Sequence, residues 1–122
     1  MNYLLVGEFG QVNDNIQHMI EKICPYTDNN FSKIFNTLEV NDKLIRDNNI
    51  IIVDYNIGEV NVNGVDFLSK YRRIIENGKQ GILICSPDIK DELDSHLTEG
   101  YEYWFDIITK PISEEELRKI LT

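Results

Sequence analysis

Apolar residues recur along this chain with two periods, and the two alternate. Four short stretches are apolar almost throughout: residues 3–7 (Tyr-Leu-Leu-Val-Gly), 50–53 (Ile-Ile-Ile-Val), 82–85 (Ile-Leu-Ile-Cys) and 104–108 (Trp-Phe-Asp-Ile-Ile). Apolar runs of that length suit strands covered on both faces. A weaker strand is expected at residues 31–35 (Phe-Ser-Lys-Ile-Phe). Between the strands the period lengthens. Residues 13–24 place Ile16, Met19, Ile20 and Ile23 at helical spacing, with Asn13 or Asp14 as a cap and Pro25 as a stop. Residues 38–47 carry Leu38, Leu44 and Ile45 and read as a weak helix. Residues 65–75 carry Val65, Leu68, Tyr71, Ile74 and Ile75 and predict an amphipathic helix ending near Asn77-Gly78. Residues 88–98 are polar but helical, opened by Ser86-Pro87-Asp88, and residues 113–121 open on a Ser113…Glu116 capping box. Strand and helix thus alternate five times. Such alternation implies a doubly wound α/β domain, a parallel sheet with right-handed crossovers, and the strand order 2-1-3-4-5.

A length of 122 residues suits one domain spanning 1–122. The formal net charge of −9 changes the picture of partners. A surplus of carboxylates repels nucleic acid and anionic membranes, and suits a basic partner face or a cation. No apolar run approaches the roughly 20 residues of a membrane span. The first residues lack the basic region and cleavage site of a signal peptide, so a cytoplasmic protein is expected. Cys24 and Cys85 lie in apolar surroundings and read as reduced core thiols rather than a disulfide.

In doubly wound sheets ligands bind outside the carboxyl ends of the strands. Those positions hold Gly7 and Glu8, then Asp54, Tyr55 and Asn56, then Ser86, then Lys110 and Pro111. Two carboxylates, a hydroxyl and an ammonium would converge on one edge. Carboxylates held together call for a cation, and hard oxygen donors with open positions suit Mg²⁺. The hydroxyl and ammonium would bind oxygens of a group carried by a carboxylate, which is what phosphoryl transfer to an aspartate needs. Each residue also has a plainer use. Asp54 can cap a turn, Ser86 a helix, Glu8 can be a solvated loop acid and Lys110 a surface cation. Glu114-Glu115-Glu116 suit the helix dipole, and neither His18 nor His96 has metal-ligand company. The aromatic run 101–105 reads as partly core, and any exposed part of it as a partner surface.

Over its whole length the chain resembles the response-regulator receiver family. The match is best from Ile50 to Arg73: an apolar strand ending in Asp54, a loop with Asn63-Gly64, then Phe67-Leu68 and Tyr71-Arg72. Ser86 and Lys110-Pro111 stand at that family's hydroxyl and Lys-Pro positions. The resemblance implies a (βα)5 flavodoxin-like receiver fold. It implies that Asp54 accepts a phosphoryl group from a histidine kinase or phosphotransfer protein, that Ser86 and Lys110 bind the new oxygens, and that the change is passed to a downstream protein. It implies a metal site of Glu8, Asp54 and the carbonyl of Asn56, and a cis Lys110-Pro111 bond. Where the family has two adjacent acids after the first strand, this chain has Gly7 and Glu8, so Mg²⁺ is expected to bind weakly. Where the family has a switch aromatic, this chain has Ile107. A pseudo-receiver, the same fold used as an interaction module without phosphorylation, is the alternative. An ordinary enzyme is disfavoured: there is no G-x-x-x-x-G-K-[ST] loop, no G-x-G-x-x-G fingerprint, no Ser/His/Asp arrangement, and Asp54-Tyr55-Asn56 is not a D-x-D pair.

Overall fold

Five consecutive positions, Ile50 to Asp54, are buried without a break, and this strand (β3) is the centre of the molecule. The computed structural model describes residues 1–7, 10–25, 28–35, 37–58, 61–95 and 103–121, with residues 10–13 described by backbone alone. β1 (Asn2–Val6) and β4 (Gln80–Cys85) pair with β3 on either side; β2 (Asn30–Ile34) pairs with β1 and β5 (Asp106–Thr109) with β4. Every pairing is parallel and the order is β2-β1-β3-β4-β5, as the alternation of strand and helix predicts.

The pleat divides the core in two. Leu4, Val6, Ile51, Val53, Leu83 and Cys85 face one layer, where Ile45, Phe67, Leu68, Tyr71, Ile75 and Phe105 cover them. Tyr3, Leu5, Ile50, Ile52, Ile82 and Ile84 face the other, against Ile16, Ile20 and Leu117. Each large aliphatic side chain so buried contributes roughly 1.5–3 kcal/mol. The second layer is built by α1 (Gly10–Ile23) and α6 (Glu114–Leu121), the first by α2 (Asp42–Arg46), α3 (Gly64–Lys70), α4 (Arg72–Glu76) and α5 (Pro87–Ser95).

Several elements differ in extent from the pattern-based expectation. α1 begins at Gly10, ahead of the expected caps, and Asp14 instead bonds Lys33 on β2 at 2.6 Å. Residues 38–47 are not one helix. A 3-10 turn at Thr37–Glu39 precedes α2, whose cap is Asn41, accepting the Leu44 N–H at 2.9 Å. The helix expected over 65–75 is interrupted at Tyr71 (φ −107, ψ 15). The Tyr71 N–H bonds the Leu68 carbonyl, three residues back, while its ring packs on Phe67 and its hydroxyl donates to the Val40 carbonyl at 3.3 Å. Burying that aromatic and satisfying its hydroxyl outweigh regular α-helical bonding at one residue. β5 runs Asp106–Thr109 rather than 104–108, because Trp104 and Phe105 lie in a turn ahead of it, edge to face with one another. α5 ends at Ser95 within the described residues; positions 96–98 of the expected helix, His96 among them, lie outside them. Neither Cys24, which is half-buried, nor Cys85, which is buried, is in a disulfide.

Candidate functional site at the carboxyl edge of the sheet

β3, β4 and β5 end at Asp54, Cys85 and Thr109, with Cys85 level with Thr109 and one residue beyond Ile84, the partner of Asp54, and these ends make the carboxyl edge of the sheet. Asp54 is only 6% exposed, a position where an unpaired carboxylate would be costly. It is held on two sides. Its Oδ2 meets Lys110 Nζ at 2.9 Å, and its Oδ1 accepts the Asn56 N–H at 3.0 Å. The second bond is an Asx turn, the local use of an aspartate that favours sharp turns after strands.

Lys110 arrives there because of its backbone. Its N–H bonds the Cys85 carbonyl at 2.8 Å, extending the β4–β5 ladder by one residue, and the Lys110–Pro111 peptide is cis, as the resemblance implied. Gly64 closes the loop that follows Asp54. Its N–H bonds the Tyr55 carbonyl at 2.8 Å, and a Cβ there would lie 2.6 Å from the Asp54 carbonyl oxygen and 2.8 Å from Leu83 Cδ1. Asn63 caps α3 in a reciprocal capping box with Asp66, and its side-chain amide reaches the Tyr55 hydroxyl at 3.3 Å. Asn63-Gly64, noted in the sequence as a motif, is thus the splint that pins the loop against the end of β3.

Ser86 occupies the start of α5. Its Oγ accepts the Ile89 N–H at 3.3 Å, so it performs the plainer of its two expected roles, that of a helix cap. Asn56 is exposed beside Asp54, Gly7 is buried at the end of β1, and Glu8 lies outside the described residues. Burial pushes the Cys85 thiol up, with nearby Lys90 pulling the other way. Cys85 is thereby a core thiol. His18 is exposed on α1. Ile107, at the expected place of a switch aromatic, is half-buried against the first core layer.

Among the described residues no three His, Cys, Asp or Glu side chains come together as a metal centre. The chemistry of the edge nonetheless fits a hard cation. An ionised carboxylate offers about four lone-pair sites, and Asp54 uses two of them within the protein. Mg²⁺ asks for one or two carboxylates, a carbonyl and several waters.

Two features of the site had no clear sequence signal. Asn15 and Met19 of α1 join Lys110, Pro111 and Ile112 around a cavity of about 290 Å³. Their spacing of four residues put them on one helix face but did not say what that face meets. The second is the Tyr103 hydroxyl, which donates to Asp94 Oδ1 at 3.0 Å, while Lys90 holds the same carboxylate at 2.9 Å. Desolvation, then the bond to Asp94, pushes the Tyr103 phenol up to about 12. Trp104 carries the Arg72 guanidinium over its ring at 5.3 Å. Of the aromatic run, Phe105 is buried and Tyr103 and Trp104 are half-buried; 101 and 102 lie outside the described residues.

Compared with solved structures, the fold is that of receiver domains. A response regulator receiver domain protein from Clostridium thermocellum superposes with a TM-score of 0.70 at 16% identity, covering 98% of this chain and 90% of that one. The receiver domain of NtrX from Brucella abortus gives 0.71 at 15% identity, covering 98% and 93%. Anti-anti-sigma factor PhyR from Bartonella quintana gives 0.68 at 15% identity, covering 98% of this chain and 45% of that longer one. No family model matches the chain, and no curated protein matches it. Among the described residues, no helix is long and apolar enough to cross a membrane.

Proposed function

We propose that the chain is a signalling receiver: Asp54 accepts a phosphoryl group, and the change this makes at the strand edge is read by a partner protein. The observation that carries this reading is the buried Asp54 carboxylate, held at 2.9 Å by Lys110 at the carboxyl edge of a receiver fold. In the transfer, an Asp54 carboxylate oxygen forms a bond to phosphorus as the phosphorus–nitrogen bond of a phosphohistidine donor breaks. The donor is a histidine kinase or phosphotransfer protein. Lys110 stands where it can move its contact from the carboxylate to a new phosphoryl oxygen. Ser86 can turn its hydroxyl toward the same oxygens while remaining at the head of α5. Mg²⁺, held by Asp54, the Asn56 carbonyl and Glu8, would supply neutralisation of the charge that builds on the transferred group. The protein acts as a phosphoacceptor that at most assists its own phosphorylation and dephosphorylation.

The test is incubation with acetyl phosphate and millimolar Mg²⁺, followed by intact-mass measurement. One added phosphoryl group is expected, and none on Asp54→Asn, whose amide keeps the shape but forms no acyl phosphate. An unmodified wild type, or equal modification of the variant, refutes the acceptor role. Gly7 at the end of β1 and Ile107 on β5 favour a second reading, a pseudo-receiver that binds its partner without phosphorylation. A beryllofluoride adduct on Asp54 is incompatible with that second reading.

A further inference from the structure

The amino edge of the sheet, opposite Asp54, carries an unexpected concentration of positive charge for a chain of net charge −9. Arg46, Arg73 and Lys79 line one groove of about 340 Å³ with Ile74 and Asn77. Arg46 ends α2, Arg73 belongs to α4, and Lys79 immediately precedes β4. The acids nearest in sequence are engaged elsewhere: Asp47 pairs with Lys43 at 2.7 Å and Glu76 with Arg72 at 3.0 Å. Among the described residues, neither Arg46 nor Arg73 forms an ion pair.

Basic residues at helix ends usually serve the free carbonyls there. Here most of those carbonyls already have donors. In α2, the Lys43 carbonyl takes the Asp47 N–H, Leu44 the Asn48 side-chain amide, Ile45 the Asn48 N–H and Arg46 the Lys79 ammonium, at 2.9, 2.8, 3.2 and 2.7 Å. In α4, the Ile74 and Ile75 carbonyls take the N–H groups of Asn77 and Lys79 at 3.2 and 2.9 Å. Capping of α2 therefore makes no demand on the Arg46 guanidinium, and in α4 the Ile74 and Ile75 carbonyls make none on that of Arg73. The Lys79–Arg46 bond also ties the end of α2 to the start of β4, which holds the groove's walls together. Guanidinium forks match the paired oxygens of phosphate, and the groove has the volume of a small-ligand pocket.

We infer that this groove is a binding site for a soluble phosphate ester or other multiply charged oxyanion, with Arg46 and Arg73 gripping the oxyanion and Lys79 and Asn77 adding donors. It lies one strand length from Asp54, about 13 Å at the rise of a parallel strand. It neither needs nor supports the phosphoacceptor role of Asp54. A soluble ligand fits better than a lipid headgroup, because the remaining surface is acidic and is repelled by anionic bilayers.

The test is a titration of backbone amide resonances with inorganic pyrophosphate, at ionic strength held constant with sodium chloride and without divalent metal. Saturable shifts clustered at residues 46–49 and 73–80 are expected. Arg46→Gln with Arg73→Gln should weaken binding at least tenfold, whereas Lys22→Gln, which removes one exposed charge from α1, should not. Both arginines are exposed, and an unchanged melting temperature of the double variant would show that a loss of binding is not a loss of fold. Shifts that grow linearly, that survive the double variant, or that centre on Asp54 and Lys110 overturn the proposal. Flotation with phosphatidylserine–phosphatidylcholine vesicles should show no binding; vesicle binding that requires Arg46 and Arg73 overturns the assignment to a soluble ligand.

Discussion

Replacing Gly64 with alanine tests the architecture of the acceptor site with a single methyl group. The added Cβ would stand 2.6 Å from the Asp54 carbonyl oxygen, 2.8 Å from Leu83 Cδ1 and 3.0 Å from Tyr55 Cα. Two of those three neighbours are backbone, which cannot swing aside as a side chain can. Either α3 retreats, stretching the 2.8 Å bond from Gly64 to the Tyr55 carbonyl, or the end of β3 shifts and carries the Asp54 carboxylate with it. Overpacking of this kind costs about 1–3 kcal/mol. Alanine's better helix propensity returns at most about 1 kcal/mol, and less at a first-turn position. The net loss is then on the order of 1–2 kcal/mol. A domain of this size loses about 4 °C in melting temperature per kcal/mol. Gly64→Ala should therefore melt about 4–8 °C below the wild type in a calorimetric or circular-dichroism scan, and should accept phosphate from acetyl phosphate more slowly. A variant that melts at or above the wild-type temperature would refute the close approach, and with it the claim that this glycine sets the position of Asp54.

Ser86→Ala removes the side-chain acceptor at the head of α5 and should destabilise by about 1 kcal/mol, with Ser86→Asn nearly neutral; equal melting of wild type and alanine variant would show that the 3.3 Å bond to Ile89 caps nothing. Tyr103→Phe should remove one late-titrating phenol from the absorbance titration near 295 nm, since that phenol is held at about 12. Because folding raises this pKa above the value of an unfolded tyrosine, about 10, the Tyr103 contribution is complete below pH 10 and fades as pH rises from 10 through 12. The stability difference between Tyr103→Phe and wild type should shrink over that window, and a difference that stays constant across it contradicts the raised pKa. Arg72→Leu should change the emission of Trp104, the chain's single tryptophan, by removing the guanidinium from its ring face; identical spectra would place Arg72 elsewhere in solution.

The order of elements was legible because it follows from short-range patterning. Unbroken apolar runs at 50–53 and 82–85 can satisfy themselves only inside a sheet covered on both sides, and the helical stretches between them leave only crossover connections. That logic places Asp54 and Lys110 at one edge of the sheet. It failed where a tertiary contact competed with a local signal. Tyr71 carries a helical pattern, yet its buried hydroxyl needed the Val40 carbonyl and the helix broke there. Asp14 looked like a cap, yet Lys33 on a neighbouring strand took its carboxylate. Trp104 and Phe105 looked like strand residues, yet ring packing placed them in the preceding turn.

By itself, then, the sequence determined the α/β alternation, the central strand and that Asp54 ends it, because hydrophobic period and strand-end position are properties of consecutive residues. Only the tertiary structure decided that Lys110 reaches Asp54 at 2.9 Å, that Ser86 caps a helix, and that Arg46, Arg73 and Lys79 gather in one groove. Those relations join residues tens of positions apart. They depend on strand register, helix ends and the competition of each polar group for a partner, which no local pattern encodes.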